Sequence, residues 1–362
     1  GIARHVSTHA CGYLITPKPI TDYIPVQMET GTRNRVITQI EGAQLEGLGF
    51  MKFDFLGLRN LTIINNALQK VNVNKTEEDR LTTKLIPLKD EPTFKTFSEG
   101  QTTGVFQFES SGMKKYLKEL QPTSLEDICF MAAAYRPGPM QFISGYIDCK
   151  FGRKKPELLI PELEPIVGVT YGYAIYQEQV IKISVDIAGY TMGGADLLRR
   201  AMGKKKIEIM NKEEPKFKEG VKAKGHSQEV ANRLWEYLLP FADYGFNKAH
   251  AAGYSLVAYW TAYLKTHYPT EFSAGLIQSD IDDIDRLAID IEEAGHLGVK
   301  ILPPDINESD EDFRIIKNTA DEKIIRFGLK AIKGFGSNVA HAIIEERNNG
   351  GKFTSFEDFL TR

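Results

Sequence analysis

Asp54 stands between Phe53 and Phe55 in the run Gly47-Leu48-Gly49-Phe50-Met51-Lys52-Phe53-Asp54-Phe55-Leu56-Gly57-Leu58-Arg59. A charge in apolar surroundings is costly to leave unpaired, so the carboxylate calls for a cation, a metal ion or a dense set of hydrogen-bond donors. Strand alternation puts Lys52 and Asp54 on one face and Phe53 and Phe55 on the other. A lone strand aspartate also serves as an edge or capping residue. A second candidate is the basic run Arg199-Arg200-Ala201-Met202-Gly203-Lys204-Lys205-Lys206, whose guanidinium forks suit phosphate oxygens. Cations at a helix C-terminus also simply favour the dipole. In Tyr244-Gly245-Phe246-Asn247-Lys248-Ala249-His250, two aromatics, an amide and a cation suit a nucleoside with its phosphates. The same residues suit a helix N-cap at Asn247, with Tyr244 and Phe246 in the core. Thr170 to Gln179 reads as core packing or as the edge of a site. His5 and His9, near Cys11, could share a helical face and make a zinc ligand pair conceivable, yet no carboxylate or second cysteine lies at suitable spacing, and a locally satisfied histidine is the simpler reading. Around Lys333-Gly334-Phe335-Gly336-Ser337-Asn338 a helix, an apolar-Gly-apolar-Gly turn and a second helix offer free backbone N–H groups to a phosphate. An ordinary helical hairpin has the same pattern. No G-x-x-x-x-G-K-[ST] loop is present, so a P-loop NTPase is not supported.

These residues need elements to hold them. Strand-like runs occupy 12–16, 35–39 and 49–56, separated by Pro17, Pro19 and Pro25, and the spacing turns helical over 61–71. Beyond residue 90 most segments are helical: 112–120, 125–134, 177–187, 195–202, 228–241 and 250–268. A linker-like stretch, 280–285, suggests a domain boundary near Ser279. Ten Lys or Arg face five Asp or Glu over 196–224, whereas twelve acidic residues face two basic ones over 279–312. The acidic stretch reads as a solvated face, because it lacks a spaced ligand loop. With 362 residues the chain has room for two or three domains. A net charge of −3 leaves any nucleic-acid affinity to local patches. Three scattered cysteines, Cys11, Cys129 and Cys149, suggest no disulfide scaffold and fit a reducing cytosol. No signal peptide and no apolar run of membrane-spanning length occurs, so a cytoplasmic protein without a membrane partner is expected. The chain opens at Gly1 inside a dense motif-like stretch and reads as a fragment.

Taken together the motifs resemble the C-family of bacterial replicative DNA polymerases, the DNA polymerase III alpha family, from one end of the chain to the other. They are Ser7-Thr8-His9-Ala10 with Gly12, Lys52 to Leu58, Thr103-Gly104-Val105-Phe106-Gln107, and Arg136-Pro137-Gly138-Pro139. Tyr176-Gln177-Glu178-Gln179, Gly193-Gly194-Ala195-Asp196, Tyr244 to His250 and Ile301 to Asn307 complete the series. The resemblance implies an α+β, predominantly α fold: residues 1–65 the C-terminal part of a palm, 66–279 the fingers, and 280–362 a helical linker and the start of a helix-hairpin-helix DNA-binding domain.

It also implies template-directed addition of dNMP to a primer 3′-OH. Asp54 would be one of three palm aspartates holding two Mg²⁺ ions, one activating the 3′-hydroxyl and one clamping the triphosphate. Lys52, Arg199 and Arg200, with Lys204 and Lys205, would contact the nucleotide's phosphates. Tyr244, Phe246, Asn247 and His250 would line the nucleotide pocket, and Lys206, Lys333, Gly334, Gly336, Ser337 and Asn338 would touch DNA. Primer-template DNA and incoming dNTP are the implied partners, with a sliding clamp and other replisome subunits met through parts outside this chain. The family's Pro-Asp-x-Asp-x-Asp-Phe run, which carries the other two aspartates, does not occur here, and Cys11 stands where relatives usually carry alanine or glycine. The chain alone is therefore expected to be inactive. A non-catalytic DNA-binding scaffold derived from a split polymerase is the alternative.

Overall fold

The computed structural model of the chain describes residues 8–9, 11–29, 35–203, 207–318 and 320–362. Its fold is α+β and predominantly α, with small sheets of two or three strands. The chain divides into two units, Gly1–Arg59 and Asn60–Arg362.

In the first unit, strand β1 (Gly12–Leu14) pairs antiparallel with a strand Lys52–Asp54, Gly12 standing opposite Asp54 and Leu14 opposite Lys52. Between them in sequence, strands Val26–Met28 and Val36–Thr38 pair antiparallel, followed by the short helix Gly42–Gly47. We number these strands β1 to β4 in chain order. The strand expected over 49–56 is thus three residues long. Its first half is spent ending the helix: Gly49 adopts φ +87° and the Phe50 amide returns to the Leu45 carbonyl at 3.0 Å. Among the described residues of this unit only Ile24 and Leu45 are buried hydrophobics, while Tyr13, Met51, Phe55 and Leu56 are exposed.

The second unit is built around helix Lys248–His267. This helix buries residues on all sides and packs against helices Leu125–Ala134, Glu91–Ser98 and Pro269–Ser279. Side-chain N-caps start many of its helices: Asp90, Ser110, Ser124, Ser227, Asn247, Asp283 and Ser355 each accept a hydrogen bond from the backbone N–H three residues on. Near the C-terminal end, strands β5 (Lys300–Leu302), β6 (Arg314–Lys317) and β7 (Lys323–Arg326) form a sheet with β7 central, parallel to β5 and antiparallel to β6. One apolar core joins Ala274 and Ile277 to Ala294, Val299, Phe313 and Ile325.

Two expectations are corrected. The acidic stretch 279–312 is not a uniformly solvated face, because Asp280 and Asp290 are buried around Arg286. The first helix of the hairpin is a single 3₁₀ turn, Leu329–Ala331. It is anchored by Leu329 N–H to the Asp310 carbonyl (2.9 Å) and Lys330 N–H to the Glu311 carbonyl (3.1 Å), and Ile332 already has extended backbone.

Candidate nucleotide, metal and DNA sites

On the first unit, alternation along β4 does separate the two faces. Phe53 and Phe55 stack with ring centroids 6.2 Å apart, whereas Lys52 Nζ stands 3.5 Å from Asp54 Oδ1. Asp54 is not enclosed by apolar groups as its sequence neighbours suggest. It lies at the end of a two-stranded ladder with its side chain 48% exposed, so water meets much of its charge. His9 and Cys11 join it: His9 Nδ1 is 3.7 Å from Asp54 Oδ1 and 3.6 Å from Cys11 Sγ. These residues reach one place because β1 pairs with β4, a juxtaposition without any local sequence signal. Gly12 makes the approach possible, since a Cβ there would stand 3.0 Å from His9 Nδ1 and 3.2 Å from Asp54 Oδ1. Ser7, Ala10 and the earlier candidate His5 lie outside the described residues.

In the second unit three of the sequence motifs meet around Tyr244 to His250. Phe246 forms an isolated parallel bridge with Tyr176: its N–H donates to the Ile175 carbonyl at 2.9 Å and its carbonyl accepts from Gln177 N–H at 2.9 Å. Gln177 Nε2 also donates to the Gly245 carbonyl at 3.0 Å. Arg136 sets its guanidinium 4.7 Å from the Phe246 ring centroid, donates from Nε to the Ala133 carbonyl at 2.9 Å, and donates to the Tyr244 carbonyl. Burial lowers the Arg136 pKa, although the group stays charged. Gly138, at φ +100°, lies under Tyr244, where a Cβ would stand 2.3 Å from the ring.

Asn247 is the N-cap of the central helix, its Oδ1 accepting from His250 N–H at 2.8 Å, so the capping reading of this residue is realised. Tyr244 and Phe246 are half-buried rather than enclosed in the core, and Asn247, Lys248 and His250 are exposed. The His250 ring lies 4.0 Å from Tyr254 and 5.5 Å from Phe246, and the Glu178 carboxylate accepts from Lys248 N–H at 3.0 Å. This surface offers aromatic faces, an amide and cations together. The part Arg136 plays in holding Tyr244 and Phe246 has no signal in its own sequence neighbourhood.

Arg199 and Arg200 both lean on Asp196 within helix Met192–Gly203, at 2.8 Å each, and the Arg199 hydrogen bonds hold the Asp196 carboxyl below its usual range. Arg200 remains mostly exposed and Arg199 is largely covered. Lys204, Lys205 and Lys206 lie outside the described residues. At the hairpin, Gly334 takes φ +87° and helix Ser337–Gly350 begins after Gly336. The Gly336 carbonyl accepts from Val339 and Ala340, which leaves the Ser337 and Asn338 amides ahead of the first helical bonds. Lys333, Gly334, Gly336 and Asn338 are exposed, with Ser337 partly so. Glu311 competes for this end of the helix. Hydrogen bonds from Ser337 and His341 hold its carboxyl below the usual range, the His341 Nε2 contact being 2.7 Å.

Comparison with known proteins divides along the same chain. Residues 1–57 match the bacterial DNA polymerase III alpha NTPase domain, 60–225 the bacterial DNA polymerase III alpha subunit finger domain, and 298–362 a helix-hairpin-helix motif. Over its whole length the chain is 45% identical to DNA polymerase III subunit alpha of Thermus aquaticus. The chain belongs to the DNA polymerase III alpha family. It is also 44% identical to the subunit of Borreliella burgdorferi and 42% identical to that of Escherichia coli K12. It spans 29%, 31% and 32% of the length of these three relatives. Among the described residues no helix is long and apolar enough to cross a membrane.

Proposed function

We propose that this chain forms part of a DNA-directed DNA polymerase, contributing palm and fingers surfaces for addition of dNMP to a primer 3′-OH. The observation that carries the reading is the meeting of Arg136 to Gly138, Tyr176 to Gln179 and Tyr244 to His250 on one face at the start of the central helix. Aromatic faces beside an amide and cations suit a nucleotide, with rings for the base and charge for the phosphates. On this reading Tyr244, Phe246, Asn247 and His250 position the incoming dNTP, and Arg136 and Gly138 fix their backbone. Arg199 and Arg200, with Lys204 and Lys205, meet its phosphates. Lys206 and the hairpin amides of Ser337 and Asn338, with Lys333, Gly334 and Gly336, grip primer-template DNA without reading bases.

Two Mg²⁺ ions need oxygen ligands. The donors gathered at Asp54 are one carboxylate, an imidazole nitrogen and a thiol, with the Lys52 ammonium at 3.5 Å. These residues alone do not fit the pair of ions, and the chain alone is expected to extend no primer. In the full-length polymerase, Asp54→Asn should abolish primer extension and leave primer-template affinity unchanged. Retained turnover would refute the catalytic place of Asp54. Lost turnover with lost affinity would instead favour a DNA-binding scaffold role.

A further inference from the structure

Gly12, the residue opposite Asp54 in the β1–β4 ladder, has no side chain, and into the space it leaves come the His9 imidazole and the Asp54 carboxylate, with the Cys11 thiol beside the imidazole. We propose that His9, Cys11 and Asp54 bind a thiophilic divalent cation of the Zn²⁺ class, with water in a fourth position. The donor set is nitrogen, sulfur and oxygen, the set a borderline-soft ion prefers and one that Mg²⁺ does not. Ligand arms of about 2.0–2.3 Å give a tetrahedron edges of roughly 3.3–3.8 Å. His9 Nδ1 already stands 3.6 Å from Cys11 Sγ and 3.7 Å from Asp54 Oδ1, and all three donor atoms lie within 4.8 Å of one another. The lone pair of His9 Nδ1 accepts the Cys11 N–H at 3.3 Å, and this bond gives way when the nitrogen turns to the ion. On binding, the Cys11 thiol gives its proton to solvent, Sγ bonds the ion, and the ion replaces Lys52 as the positive partner of Asp54. An ion held this way removes Asp54 from oxygen-only cation chemistry, a consequence that rests on the polymerase reading above.

The test uses the purified, reduced 362-residue chain with Co²⁺ as the spectroscopic stand-in for Zn²⁺. A thiolate-to-cobalt charge-transfer band should appear, vanish on adding Zn²⁺ and persist in excess Mg²⁺. Cys11→Ser should abolish the band and Cys129→Ser should leave it. Gly12→Ala and Asp54→Asn should weaken Co²⁺ affinity about tenfold or more with the band retained at saturation. Absence of a band in the parent chain, or a band that survives Cys11→Ser, would overturn the site. Unchanged affinity in Asp54→Asn, a substitution at an exposed residue, would overturn it equally, even should Cys11→Ser fail to fold. The readout involves no DNA, nucleotide or turnover, so its failure leaves the primer-extension test standing, and the reverse also holds.

Discussion

The buried carboxyl of Asp290 should make the folded chain lose stability as pH rises through neutrality. Burial and a hydrogen bond with Asp280 push its pKa up to about 8, against the opposing pull of Arg286, whose Nε stands 3.0 Å from Asp290 and 3.5 Å from Asp280. Glu109 faces the same guanidinium at 2.8 Å and raises Asp290 slightly further. Between the ordinary carboxylate range and pH 8 the native state therefore holds a proton that the unfolded chain has released. The contribution is complete at low pH and is lost as pH climbs toward the folded-state value. One bound proton corresponds to about 1.4 kcal/mol per pH unit, so roughly 2 kcal/mol should disappear between about pH 6 and pH 7.5. In Asp290→Asn the amide stays neutral at every pH and still donates to Asp280. Urea unfolding of parent and variant, followed by helical signal across this range, isolates the effect, because every other group is common to both. The stability difference should shift by about 2 kcal/mol in favour of the variant as pH rises. Parallel pH profiles would refute the assignment of a shared proton to this pair.

Two further outcomes test the packing behind the proposed nucleotide face. Gly138→Ala puts a methyl 2.3 Å from the Tyr244 ring at φ +100°, and should destabilise the chain by about 2–4 kcal/mol in urea unfolding; a change within about 0.5 kcal/mol would show that the Tyr244 ring is not seated there. Lys265, fully buried, donates to Glu293 at 2.6 Å and to the Thr103 carbonyl at 2.8 Å. Lys265→Met should cost about 3–5 kcal/mol by leaving Glu293 unpaired, and adding Glu293→Gln should recover most of that; a double variant no better than the single one would show that packing rather than the unpaired charge sets the loss.

How much of this was legible in the sequence depends on the distance over which residues meet. Some helix starts were legible from a capping side chain before an apolar period, as at Ser124 before Leu125–Ala134 and Asn247 before Lys248–His267, whereas Glu91–Ser98 after Asp90 and Phe356–Thr361 after Ser355 were not. The facing of Lys52 and Asp54 follows from alternation alone. The burial of Asp280 and Asp290 was not legible, because an acidic stretch has the same composition whether water or Arg286 answers its charge. Arg136 reaches Tyr244 across 108 residues of sequence, and no periodicity encodes such a meeting. No carboxylate lies near His9 and Cys11 in sequence; the β1–β4 ladder supplies Asp54 from the other end of the unit.

The sparse interior of the first unit bears on how any ligand of that unit is measured. With Ile24 and Leu45 as its buried hydrophobics among the described residues, and Phe55 and Leu56 open to water, β1 and β4 are held together mainly by their short ladder. Coordination across that ladder ties His9 and Cys11 to Asp54, and therefore ties one strand to the other. A titration of this site then records the ordering of the strand pair together with the bonds to the ion. Its apparent affinity carries the cost of that ordering, and its heat-capacity change carries the surface that becomes covered.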